Sequence, residues 1–356
     1  MLRSWLMVSW MIAASSTGSA FPATAGQEAM VPARLAIYYG YPSLVNGSAG
    51  NIEKASAIFA KYDIMVLGDG LEFGEVDRGR IPQGAGTAEH DNTQRIISLL
   101  KTRSPRTAIY GYVCLGSTQH LSQAELQHRI KLWNLMDVHG IFLDEAGYDY
   151  GVTRERQNGA IAYVHQLGLS AFLNAFRPDD LFSTERQPLN SAGGGNPQGI
   201  PAVLGNRDIF LLESFQINNG AYETAVHLAE RTGRAVLYRE RYGSRIMAVT
   251  TTVSGSSSSL AEQFDYAWGS AFLWSLNGFG WGSPSFGSAD NMLAISSCNQ
   301  LSATMPKRFL SSVHVADAAF WRETTEGRLV LDAHEHKVML RRPARPDLIL
   351  SCGTAP

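Results

Sequence analysis

Gly140-Ile141-Phe142-Leu143-Asp144-Glu145 is the stretch on which the fold turns. Three large apolar residues run straight into two adjacent carboxylates. An uninterrupted apolar run of this length reads as a strand covered on both faces. The acids then fall where the strand leaves the core, and in a barrel the ends of the strands are where catalytic side chains are placed. Successive strand residues point to opposite sides, so a regular strand would send Asp144 and Glu145 apart. A turn of the backbone at the strand exit would let both approach one cavity.

Similar runs recur on either side. Leu35 to Tyr39, Ile64 to Leu67, Ala108 to Val113, Ile141 to Leu143, Ser170 to Leu173, Ile209 to Leu212, Ile246 to Thr250 and Gly278 to Trp281 read as eight strands. Amphipathic segments lie between them: Asn51 to Lys61, Thr93 to Lys101, Ser122 to Met136, Thr153 to Leu167, Tyr222 to Arg241 and Leu260 to Trp274. Ile52, Ala55, Ile58 and Phe59 have helical spacing, and Ser122 with Glu125 reads as a capping box. Strands alternating with helices over about 250 residues predict an α/β fold, a (β/α)8 TIM barrel. A doubly wound sheet is the alternative, but Tyr39-Gly40-Tyr41-Pro42-Ser43 is not the glycine-rich phosphate turn such a sheet commonly carries. Long connections follow strand ends, at 70–92, 177–206 and 253–259, whereas links from helix back to strand are short. That asymmetry is expected when one face is elaborated for binding.

The rest of the chain sets limits. With 45% hydrophobic and 17% charged residues it can bury a large core, and a net charge of −2 argues against nucleic acid as a partner. Residues 1–25 read as a signal peptide: Arg3, an apolar run from Trp5 to Ala14, then small residues with Ala23-Thr24-Ala25 at the cleavage point. The expected protein is secreted or periplasmic, with no stable membrane span after processing. Cys298 and Cys352 bracket the C-terminal segment and could be paired, while Cys114 reads as a small buried residue. The barrel is assigned to 31–300. Residues 301–356 form an appendage, a small antiparallel sheet turning at Glu326-Gly327.

The strand ends carry the candidate chemistry. Glu213 follows Ile209-Phe210-Leu211-Leu212 and repeats the Asp144 pattern. A Glu at such a place must be paired, solvated or protonated, and a buried ion pair with an Arg such as Arg177 is the structural alternative. Asp144, Glu145 and Glu213 supply the two carboxyl groups that glycoside hydrolysis requires, one to protonate the leaving oxygen and one to attack or activate water. Which is which stays open at this point. Tyr38, Tyr39, Tyr112 and Asn174, also at strand ends, are candidate sugar-binding groups. Asp69 is a further candidate, although Gly68 and Gly70 equally make it a turn residue. The nine histidines form no metal constellation, so no metal and no cofactor is expected. There is no Gly-x-Ser-x-Gly elbow and no dinucleotide fingerprint.

The Gly-Ile-Phe-Leu-Asp-Glu run, preceded by Tyr110-Gly111-Tyr112-Val113, resembles the spherulin-4-like family of glycoside hydrolases, which is similar to endo-α-1,4-polygalactosaminidase barrels. In that pattern a strand ending in Asp-Glu is followed by one ending near Asn and a later one carrying Glu. Asp144, Glu145, Asn174 and Glu213 stand at those positions, over a resemblance reaching from Leu35 to about Trp281. The resemblance implies a hydrolase of an amino-sugar polysaccharide, such as a galactosamine-containing exopolymer. The chain departs from the pattern in the long segment after Asn174 and in its C-terminal sheet. A non-catalytic carbohydrate-binding or envelope-assembly protein on the same barrel is the alternative, since fold does not establish activity.

Overall fold

The computed structural model describes residues 19–21, 26–74, 87–253, 259–294 and 305–351. The first element among the described residues is a short strand, β1 (Ser19–Phe21), which lies outside the barrel and pairs with a strand of the C-terminal sheet. Eight parallel strands then close on themselves: β2 (Ala33–Tyr38), β3 (Ile64–Leu67), β4 (Ala108–Cys114), β5 (Gly140–Asp144), β6 (Ser170–Asn174), β7 (Ile209–Leu212), β10 (Arg245–Thr251) and β11 (Gly278–Gly282). Between β7 and β10 lies a two-stranded ribbon, β8 (Ile217–Asn218) and β9 (Ala221–Tyr222). Register runs around the ring through Leu35 and Ile64, Gly111 and Ile141, Ile141 and Ala171, and Phe172 and Ile209. It closes through Gly278 and Ala33. The predicted (β/α)8 architecture is thus the observed one, with each strand within two residues of its expected bounds.

The period of two divides each strand between two cores. Leu35, Ile37, Ile64, Val66, Tyr110, Phe142, Phe172, Ile209, Leu211, Met247 and Val249 fill the barrel interior. Tyr110, Phe142 and Phe172 meet there edge to face, with centroids 5.4 and 5.1 Å apart, the arrangement that ring quadrupoles favour. The alternate residues, including Ala36, Met65, Ile141, Leu143 and Phe210, pack outward against the helices.

The helices are α1 (Ile52–Phe59), α2 (Thr87–Arg103), α3 (Gln123–Leu135), α4 (Arg154–Gln166), α5 (Pro178–Phe182), α6 (Ala225–Tyr242) and α7 (Leu260–Leu273). Their starts follow local chemistry. Asn51, Ser122, Thr153, Thr224 and Ser259 each accept a first-turn backbone N–H through the side chain. Replacing such a cap by Ala costs about 1 kcal/mol. At Ser259 and Glu262 the capping box is reciprocal. Gly233 does not interrupt α6, which runs on to Gly243, where a φ of 73° ends it in the left-handed cap that glycine favours.

The tail is the expected antiparallel sheet: β12 (Val313–Ala316), β13 (Ala319–Thr324), β14 (Gly327–Asp332), β15 (Lys337–Arg341) and β16 (Leu348–Ile349). It packs on α7, where a β-carbon at Gly269 would lie 2.8 Å from Val338. Buried Arg322 ties it down by donating to Leu273 O (3.2 Å) and Ser275 Oγ (2.6 Å) and by lying 3.7 Å over the Phe309 ring. The β1 strand, inside the segment read as an export signal, pairs antiparallel with β12 as a further edge of this sheet. The expected cleavage point at Ala23-Thr24-Ala25 and both Cys298 and Cys352 lie outside the described residues. Cys114 is a free, buried thiol. Among the described residues, no helix is long and apolar enough to cross a membrane.

Candidate active site

At the C-terminal mouth of the barrel Asp144, Asn174 and Glu213 meet. They end, or immediately follow, three neighbouring strands, β5, β6 and β7. The Asn174 amide nitrogen donates to both acids, 2.9 Å to Asp144 Oδ1 and 2.8 Å to Glu213 Oε2. With the two N–H bonds of an amide spread by about 120°, the two carboxylate oxygens lie about 5 Å apart. Asp144 also receives a hydrogen bond from the Tyr112 hydroxyl and one from the Glu145 backbone N–H. Burial raises the Asp144 carboxyl to about 6, Asn174 opposes the shift and the Glu213 charge adds to it. The Asn174 side-chain oxygen, Oδ1, is buried with no hydrogen-bond partner among the described residues.

These groups open on a cavity of about 380 Å³. Its floor is the top of the barrel interior, Ile37, Phe142 and Leu211. Its walls include Tyr39, Glu145, Asp149, Tyr150, Phe176 and Phe286. Among the described residues, four carboxylates, Asp144, Glu145, Asp149 and Glu213, line it, and no Lys, Arg or His does. The hydroxyls of Tyr39 and Tyr112 are pushed to higher pKa by burial first and by Asp144 second, so both stay protonated donors. Tyr39 is fixed by edge-to-face contacts with Tyr112 (5.4 Å) and Phe286 (5.5 Å). Gly68 makes room for it, since a β-carbon there would lie 2.7 Å from Tyr39 Cα.

Glu145 reaches the same cavity by a backbone turn. Its φ is +53°, a left-handed conformation that costs a non-glycine residue roughly 1 kcal/mol. The side chain is held by the Thr118 backbone N–H (3.1 Å), the Thr118 hydroxyl and the Cys114 thiol (3.3 Å). It therefore sits beside the Asp144–Asn174–Glu213 cluster, held by its own donors. Glu213 makes no ion pair among the described residues. Arg177, proposed as its alternative partner, lines a different cavity.

Two expected site residues are placed elsewhere. Tyr38 is fully buried outside the barrel wall, with its ring 5.6 Å from Phe59 and its hydroxyl 3.3 Å from Tyr41 O. Period-two alternation sends Tyr39 inward and Tyr38 outward, so only one of the pair reaches the cavity. Asp69 does not line the cavity either. It ion-pairs with Arg129 and accepts from Gln119 Nε2 (2.7 Å), while Arg129 also pairs with Glu72. Both Glu72 and Arg129 are buried, and burial raises the Glu72 carboxyl more than Arg129 lowers it. This network buttresses the neighbouring strand ends. Asp149, Tyr150, Phe176 and Phe286 were not singled out from the sequence. They lie on loops after the strands, and the Tyr148-Asp149-Tyr150 run and Phe176 two residues beyond Asn174 were the only local signals. Among the described residues no cluster of His, Cys, Asp and Glu is arranged to hold a metal.

Fold and site together define a (β/α)8 barrel with an acidic cavity at its C-terminal mouth. No protein-family model and no curated protein matches the chain. Solved structures are similar at low identity. One is the cellulose synthase subunit Z of Clostridioides difficile, with 8% identity, 71% of this chain and 91% of that chain covered, and a TM-score of 0.44. Another is an HpcH/HpaI aldolase of Desulfitobacterium hafniense, with 10% identity, 71% and 87% covered, and a TM-score of 0.37. A third is the dihydropteroate synthase of Xanthomonas albilineans, with 14% identity, 73% and 90% covered, and a TM-score of 0.37. At such identities these likenesses carry no information about chemistry.

Proposed function

We propose that the chain is an exported glycoside hydrolase that cleaves an amino-sugar polysaccharide, using Asp144 and Glu213 as the catalytic carboxyl pair. The observation that carries this reading is the single Asn174 nitrogen joining two carboxylates at adjacent strand ends. Their separation of about 5 Å falls in the range for a retaining mechanism, with a covalent glycosyl intermediate. Three donors converge on Asp144, whereas Glu213 has one side-chain donor among the described residues. These donors orient the Asp144 carboxylate and oppose the rise that burial imposes on it, and we assign it as nucleophile. Glu213 protonates the leaving oxygen and then deprotonates the incoming water.

The cavity's four carboxylates, with no cation among its described lining residues, favour a positively charged sugar, which a protonated amine supplies. This agrees with the resemblance to polygalactosaminidase-type barrels, and an extracellular polymer agrees with an export signal. Tyr39 and the exposed Phe176 ring offer a donor and an apolar face for the sugar, while Tyr112 holds Asp144. Reducing-end release across galactosamine, glucosamine and neutral polymers tests the reading. Asp144→Asn and Glu213→Gln should each lower turnover at least about a hundredfold. Full activity in both variants on a polymer the wild type cleaves would sink the assignment.

A further inference from the structure

The segment from Arg177 to Asn206 adds no group to the catalytic pair, yet it is firmly built. Fully buried Arg154 donates to the carbonyls of Asp180 (3.3 Å), Leu181 and Ser183 (3.0 Å), and to the Tyr148 hydroxyl (3.0 Å). Asn190 Nδ2 donates to Tyr148 O (2.7 Å), and its Oδ1 accepts from the N–H groups of Ala192 (2.9 Å) and Gly194 (3.0 Å). Gly194 sits so close to Tyr148 that a β-carbon would fall 2.1 Å from Tyr148 O. The backbones of Gln187 and Asn196 exchange two hydrogen bonds, at 3.0 and 2.9 Å.

This scaffold walls a second cavity of about 270 Å³. Asp149 and Phe176 line both cavities, so the two are neighbours. Asp180 lines the second one and is 4% exposed. Its carboxylate accepts the Tyr148 N–H (3.1 Å), and no side chain among the described residues donates to that carboxylate. Arg177 and Gln187 stand around it, giving donors and acceptors in one small space. Burial first, and the Asp149 charge among the lesser causes, raises the Asp180 carboxyl to about 6. Phe176 is 46% exposed and is backed by the Arg231 guanidinium 4.4 Å from its ring. A ring held in this way is a ready face for a sugar, at little entropic cost.

We infer that this second cavity is a sugar-binding subsite, which holds through hydroxyl groups the polymer residue next to the one over Asp144 and Glu213. Phe176 bridges the two positions, Asp180 accepts sugar hydroxyls and Arg177 donates to them. A buried polar group left without side-chain partners discriminates strongly once a ligand satisfies it. The segment that departs from the resembled family thus lengthens the recognised stretch of polymer. The inference rests on the hydrolase reading for the identity of the polymer, but not for the existence of the subsite.

The test uses the full chain with galactosamine and glucosamine, as monosaccharides and as oligomers of two to six residues, free or N-acetylated. Asp180→Asn keeps the shape and an acceptor for the Tyr148 N–H. Gln187→Trp fills the cavity at a side chain with no hydrogen bond of its own among the described residues. Calorimetric affinity is read as the ratio of each oligomer to the monosaccharide, which fills one position only, with reducing-end kinetics on the oligomers beside it. The ratio should fall about tenfold or more in both variants, with the kinetic loss mainly in KM rather than kcat. A ratio unchanged in both, or an equal loss on monosaccharide and oligomer in Asp180→Asn, overturns the subsite. Cleavage with unchanged ratios would leave the hydrolase reading standing and remove the subsite. Length-dependent binding lost in both variants, with no sugar released by the wild type, would do the reverse.

Discussion

Asn174→Ala removes a side chain that hydrogen-bonds both catalytic acids. Two carboxylates about 5 Å apart repel by about 3 kcal/mol at an effective dielectric constant near 20. The two charge-assisted hydrogen bonds from Asn174 offset a repulsion of that order, at about 1.5–3 kcal/mol each before solvent replaces them. With alanine in place, water enters the open cavity and recovers part of that loss. A net deficit of about 1.5–3 kcal/mol corresponds to a rise of roughly one to two pH units in the Asp144 carboxyl, which starts at about 6. As nucleophile, Asp144 must be ionised, so activity is lost as pH falls through its pKa. The acid limb of kcat/KM should therefore move from about 6 toward 7–8. Reducing-end release measured from pH 4.5 to 9 reads the limb, and carboxyl carbon NMR of labelled aspartate reads the same pKa without substrate. A limb that stays near 6, or moves down, would refute the account of Asn174 as the group that lets the two acids coexist.

Other expectations follow from the same arrangement of charges. Asp144 and Asp180 both have folded-state pKa values raised to about 6, so the native state binds more protons than the unfolded chain between about pH 4 and 6. Their effect is absent below about pH 4 and becomes destabilising as pH rises through 6, on the order of 3 kcal/mol for each group before solvent screening at the partly exposed Asp144. Chemical denaturation should show the double Asn variant losing less stability than wild type between pH 5 and 7.5, and an equal loss would contradict the raised values. Arg129→Met strands Glu72 and Asp69 without their cation and should cost about 3–5 kcal/mol in urea unfolding, whereas a loss under 1 kcal/mol would mean the network is not a buttress. Cys114 is buried and its thiol is pushed up to about 12, chiefly by burial, so iodoacetamide at neutral pH should modify it only after unfolding. Rapid labelling of the native protein would show that strand end to be open.

The sequence by itself determined the barrel, because eight apolar runs alternating with helical spacing leave few other ways to bury both strand faces. It also brought Asp144, Asn174 and Glu213 to equivalent strand ends, since each closes such a run. It could not place Tyr38 against Tyr39, because a register shift of one residue exchanges inside for outside and sequence does not mark the pleat. It could not decide whether Asp69 faced substrate or a cation, because Arg129 lies on a helix 60 positions away in the chain. Glu145 reached the cavity only through a left-handed backbone turn that no residue pattern announces. The second cavity was invisible as well, for its walls come from Phe176, Asp149 and the segment after Asn174. Local propensity and burial period act within a few residues and can be read along the chain. The meeting of carboxylates from separate strands, and the donors that hold them, depends on barrel closure, which only the tertiary structure supplies.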